Sequence, residues 1–140
     1  MDNQALANSL RRQISSLNNR IAELTKEIAV LSDQQERLQK AKHNIEAHKL
    51  VFAEMVLDER RRASNTRSVT NARIATSYAE QMTELLTGND FRSADASFDE
   101  ILKIMSRKAT EIRHQIYKIE HLVAEYRSQV DNLQSQLRTI

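Results

Sequence analysis

A chain of 140 residues with one Gly, no Pro and 4% aromatics has too few turn formers and ring side chains for a sheet-based or turn-rich domain. With 40% hydrophobic and 29% charged residues it is too polar for a thick globular core, yet too regularly patterned for disorder. This leaves a single all-α domain, an elongated antiparallel helical hairpin or a thin coiled-coil bundle of two to three long helices. Its 21 basic and 19 acidic side chains nearly cancel to +2, which excludes a nucleic-acid binder acting through its whole surface.

The opening segment MDNQALANSLRRQ lacks the charged start and apolar core of a secretory signal. No run approaches the roughly 18 apolar residues that span a bilayer, so no membrane insertion is expected. If the chain is exported from the cytoplasm, it leaves by a route that reads folded helices rather than a cleaved signal peptide. The absence of Cys removes disulfides, thiolate metal sites and thiol nucleophiles.

A first helix is expected over about 4–62, capped by Asp2 or Asn3. Leu10, Leu17, Leu24, Leu31 and Leu38 recur every seven residues with Ile14, Ile21 and Ile28 between them, a heptad seam with Leu at d and Ile at a. Beyond Leu38 the seam is expected to degrade, because Gln35, Lys42 and Lys49 hold a positions while Ile45 and Phe52 hold d. The cluster Leu50, Val51, Phe52, Met55 and Val56 widens the apolar face beyond a two-helix stripe, predicting that a third helix packs there.

Residues 60–71, RRRASNTRSVTN, are rich in side chains that compete for backbone hydrogen bonds and form a candidate break or bend; with neither Gly nor Pro in the stretch, a continuous helix through it is the equal alternative. A second helix follows over about 68–87, patterned by Val69, Ile74, Tyr78, Met82, Leu85 and Leu86. The lone Gly88, before Asn89 and Asp90, predicts a helix C-cap, and a turn over 88–94 in which the chain reverses. A last helix is expected over 95–139, with Ser97 and Glu100 spaced as a capping box, although Asp90 or Ser93 could cap an earlier start.

That last helix carries the longest seam. Phe98, Leu102, Met105, Ala109, Ile112, Ile116, Ile119, Val123, Tyr126, Val130, Leu133, Leu137 and Ile140 alternate steps of four and three without a miss. Such a seam cannot face water and must meet another helix. The first seam can cover part of it; the Leu50–Val56 cluster and the Ile74–Leu86 stripe remain over and point to a partner.

The other motifs carry less. His114 and His121 are seven apart, about 10 Å along a helix, too far for one metal ion. His43 and His48, five apart, turn away from a shared face. No Gly-rich phosphate loop is available and no Ser, His and acid set falls in a cleft, so neither catalytic residues nor a cofactor are expected. The run Arg60-Arg61-Arg62 with Arg67 and Arg73 follows the zipper, whereas leucine-zipper transcription factors carry their basic region ahead of it, and Glu54, Asp58 and Glu59 dilute it. It reads as a solvated face, without nucleic acid as partner.

At Leu86-Thr87-Gly88 the chain meets a family. Helical seams at both ends, in LNNRIAELTKEIAVLSDQQERLQKAK and YRSQVDNLQSQLRTI, flank this tripeptide at a W-x-G-like position, with Phe91 and Phe98 beyond. The pattern resembles the small YwqH-like, WXG-related helical partners encoded beside LXG-domain toxins in type VII secretion systems of Gram-positive bacteria. In such systems export signals take the form Y/F-x-x-x-D/E, and Phe91 and Asp95 fit it. The resemblance implies a non-enzymatic chaperone-like partner, or targeting factor, that covers the N-terminal helical domain of a larger secreted toxin and requires no cofactor. The alternative is a self-associating coiled-coil scaffold or adaptor, a homo-oligomer through the same seams.

Overall fold

The computed structural model describes residues 2–69 and 73–140, and among them every ordered element is a helix. Helix α1 spans Asn3–Val69, α2 spans Arg73–Thr87 and α3 spans Asn89–Arg138. The fold is thus all-α, an antiparallel helical hairpin built in two units. Unit 1 comprises Met1–Arg37 with Lys108–Ile140, and unit 2 comprises Leu38–Arg107.

In unit 1 the N-terminus of α1 is capped by Asp2. Its Oδ1 accepts from the N–H of Gln4 at 3.0 Å and its carbonyl accepts from the N–H of Leu6 at 3.1 Å. Ala7, Leu10, Leu24, Ile112, Val123 and Val130 are buried, with Leu24 only 2% exposed. The intervening seam positions are half-buried, as in a layer only two helices thick. The Arg20 guanidinium donates to Glu23 at 3.1 Å. This bond, and next to it a hydrogen bond to Tyr126, holds its proton above the ordinary arginine range against some desolvation. The open groove from Gln13 and Leu17 to Leu133 and Gln136 has the same sense, with α1 rising as α3 falls. The pairing is antiparallel.

Unit 2 pairs the rest of α1 with α2 and the start of α3. Lys49 is ion-paired with Asp99, the Phe52 ring lies 5.7 Å from both Phe98 and Phe91, and Arg60 reaches the Leu86 carbonyl at 3.4 Å. As α1 numbers rise, partner numbers fall from 99 to 86. The antiparallel partner of α1 is therefore already α2, upstream of Gly88.

Three boundaries differ from the expectation. The first helix does not stop near 62, because it continues through 60–69 to Val69. Ala63, 2% exposed, anchors that stretch, and the Thr66 hydroxyl donates to the Arg62 carbonyl at 2.9 Å rather than competing with the ladder. Tertiary packing overrides propensity there; residues 70 and 71 of the candidate break lie outside the described residues.

The turn over 88–94 is likewise replaced by helix from Asn89 onward. Gly88 is a break of one residue. It does not take the left-handed conformation of a C-cap; its N–H donates to the Leu85 carbonyl at 3.2 Å and its own carbonyl accepts from the Arg92 N–H at 3.2 Å. One ladder step is shortened and the next resumes, so the helix shifts phase without reversing. A Cβ at Gly88 would lie 3.0 Å from the Glu84 carbonyl oxygen, which explains why the shift falls on the glycine. The third difference concerns Ser97 and Glu100, because the Ser97 hydroxyl donates back to the Ser93 carbonyl at 2.8 Å inside α3 and forms no capping box.

The degradation of the α1 seam after Leu38 is chemical and not geometric. Gln35, Leu38, Lys42, Ile45, Lys49, Phe52, Val56, Glu59, Ala63 and Thr66 are all buried or half-buried, in unbroken steps of three and four. Polar side chains occupy the seam without interrupting it.

Candidate functional site

Every predicted seam residue except the terminal Ile140 faces inward. Leu10, Ile14, Leu17, Ile21, Leu24, Ile28 and Leu31 of α1, with Ile112, Ile116, Ile119, Val123, Tyr126, Val130 and Leu133 of α3, are buried or half-buried in unit 1. Leu38, Phe52, Leu102 and Met105 are half-buried in unit 2. The covering helix comes from the chain itself, so these residues hold the fold, and a surface for another molecule has to be sought outside them.

The turn motif and the export pattern also serve packing. Leu86 is buried, while Thr87 and Gly88 are half-buried. Phe91 stacks on Phe52 with ring planes 18° apart. Asp95 is half-buried one helical turn further on. Both line an open groove of about 480 Å³, floored by Phe52, Val56, Leu57 and Leu86 and rimmed by Arg60, Arg92 and Asp99.

The exposed apolar residues lie elsewhere and follow a rule. Nine of the large hydrophobic side chains exposed among the described residues belong to unit 2: Leu50, Val51, Met55, Leu57, Ile74, Tyr78, Leu85, Ile101 and Ile104. Seven of them immediately precede a seam residue: Val51 before Phe52, Met55 before Val56, Ile74 before Ala75, Tyr78 before Ala79, Leu85 before Leu86, Ile101 before Leu102 and Ile104 before Met105. One residue back is a rotation of about 100° in the same sense on each helix. Facing the partner helix and running the opposite way are two reversals that cancel, so on an antiparallel pair these positions emerge on one common flank. With exposed fractions from 40% to 85%, they leave large apolar side chains in water on both helices of the pair.

Charge follows the same division. On the flank preceding the seam, Asn44, His48, Val51 and Met55 of α1 and Ala94, Ser97, Ile101 and Ile104 of α3 carry no formal charge with His neutral. On the flank following the seam stand Glu46, Arg60, Arg92, Asp99 and Lys103. The uncharged patch is bounded by Asp58 and Asp90, beyond which the α2 stripe of Ile74, Tyr78 and Leu85 resumes the apolar character.

Sequence reasoning found part of this surface, since Val51, Met55 and the Ile74–Leu86 stripe are the remainder left over by the seams. Ile101 and Ile104 escaped it because they lie one residue off the longest seam and read as its neighbours. The residue before each seam step, compared between helices of opposite direction, is the signal that would have found them.

Among the described residues no buried polar side chain occurs and no three His, Asp or Glu groups come together as a metal site. The contacts of His43 with Glu46 and of His121 with Glu125, both 3.6 Å, lie on exposed faces. No described helix is long and apolar enough to cross a membrane. Comparison with protein-family models, curated proteins and solved structures returns no match to this chain.

Proposed function

We propose that this chain is a non-enzymatic helical partner and targeting factor that binds the N-terminal helical domain of an LXG-type toxin and promotes its type VII secretion. The observation that carries the reading is the apolar flank of unit 2, left in water after both seams have been covered from within. An amphipathic helix of another protein laid along it would add a third helix to the pair, the helix-in-groove mode of recognition. Resemblance of Leu86-Thr87-Gly88 and its flanking helices to the YwqH-like partners supplies the kind of partner. The Phe91 to Asp95 step, one turn of α3, is the segment that an export machinery reading folded helices would meet. The chain would then be cytoplasmic before export and leave without a cleaved signal peptide.

The test is co-expression with the N-terminal domain of an LXG toxin encoded beside this gene. A stable one-to-one complex by light scattering, and loss of toxin secretion when this chain is deleted, are the expected results. A chain that forms a tight homodimer and ignores the toxin domain is instead a self-associating scaffold, the second reading that the same uncovered flank supports.

A further inference from the structure

Resting on the partner reading above, we infer that the occupant of the unit 2 flank is one helix of a different protein, with an uncharged apolar stripe broken midway by a Lys or Arg that meets Asp58 and Asp90. In a chain with 29% charged residues, an extended flank without a formal charge selects an equally uncharged stripe, because a charged side chain laid on it would lose its water without gaining a partner. Ala94 and Ser97 let a helix backbone come close between the larger Met55 and Ile101.

The acidic step then sets the middle of the occupant. Asp58 reaches Arg61 only at 3.9 Å and both stay exposed, while Arg62, next along the flank, is tied to Glu59 at 3.0 Å. Asp90 lies at the matching level of the opposing helix, between the Phe52–Phe91 and Arg60–Leu86 contacts. Two carboxylates therefore divide the apolar surface into the uncharged patch and the α2 stripe.

A second copy of this chain fits poorly for the same reason. A two-fold pairing that covers patch with stripe would bring the acidic steps of both copies together at its centre, where like charges repel. A pairing of patch with patch would leave Ile74, 85% exposed, and its neighbours uncovered.

The test uses the full chain and a synthetic amphipathic helix about six turns long, with Leu along its seam and a Lys pair at its middle; a second peptide carries Glu in place of Lys. Fluorescence anisotropy should show the lysine peptide binding the wild type, the glutamate peptide binding about tenfold more weakly or worse, and the lysine peptide lost on the double variant Val51→Glu with Ile101→Glu. Far-UV circular dichroism reports folding of the variant, whose positions already face water. No binding of the lysine peptide, equal binding of both peptides, or unchanged binding by the variant overturns the inference. So does a doubling of mass in the wild type that the variant abolishes, which assigns the flank to a second copy. If the lysine peptide binds and the toxin domain does not, the toxin reading falls and this surface stands. If the toxin domain binds the variant as well as the wild type, the surface falls and the toxin reading stands.

Discussion

Ile21 and Ile28 in unit 1 and Lys42 and Lys49 in unit 2 hold the same heptad position of the same helix. Around the isoleucines the large aliphatic side chains are turned inward, and exposed large apolar residues are confined to Val30, Tyr117 and the terminal Ile140 among the described residues. Around the lysines the arrangement is inverted. The seam holds charged and polar side chains, its fully buried members are Ala63, Ala79 and Leu86, and seven large apolar residues stand outside on one flank. A unit with a closed seam and a polar surface keeps most of its large apolar side chains out of water, whereas a polar seam beside an apolar flank leaves many of them in it. On the proposed reading, unit 1 holds the fold and unit 2 offers the surface.

The largest expected effect falls on the sealed unit. Ile112→Asp, at a position 3% exposed, should cost about 4 kcal/mol or more through a charge buried without a partner. Ile116→Asp, half-buried on the same seam, should follow it in direction. Thermal melts by circular dichroism check both, and unchanged melting would show that the seam does not hold unit 1. Leu24→Ala should cost about 3 kcal/mol by the same measurement, the usual loss for a buried leucine whose site collapses incompletely.

In unit 2, Phe52→Ala removes the ring that stacks on Phe91 and tilts against Phe98, and about 2 kcal/mol is expected because the ring is half-buried and not sealed. A loss equal to that at Leu24 would erase the contrast between the units. Val51→Glu should change stability by no more than about 0.5 kcal/mol in denaturant titration, since its side chain is in water in the free chain. A large loss there would mean the flank is already covered by this chain.

Lys49→Met sharpens the comparison most finely. The lysine proton is held above the ordinary range, first by the hydrogen bond to Asp99, offset by desolvation and aided by the charges of Asp99 and Asp95. The folded chain therefore binds this proton more tightly than the unfolded chain. The stabilisation is complete below the ordinary lysine range and is lost only as strongly alkaline solution strips the proton. The pair is partly exposed, so replacing Lys49 with an apolar seam residue should leave the denaturation midpoint nearly unchanged, without pH dependence between about pH 6 and 9. A variant that gains or loses more in one part of that window would indicate further titrating partners.

The helical class was legible in composition, and the seams in residue spacing, because a 3.5-residue apolar repeat is compatible with one backbone geometry only and needs no knowledge of what lies opposite. Leu10 to Leu38 and Leu102 to Leu133 could be placed on inward faces from the chain alone. Their mutual cover was legible only in part, as one of the pairings open to them, since an apolar stripe specifies that it is buried and leaves open by what. The same gap left residues 60–69 open between a break and a continuous helix, and it misled the reading of Gly88. Local propensity favours a break at Ser, Asn and Thr and a reversal at glycine, whereas the buried Ala63 and the resumed hydrogen bond from Arg92 to Gly88 keep both stretches helical. Only the tertiary pairing decided which flank Val51, Met55, Tyr78, Leu85, Ile101 and Ile104 share. The rotation of one residue from a seam is written in the sequence, but its direction in space depends on the helix beside it running the opposite way.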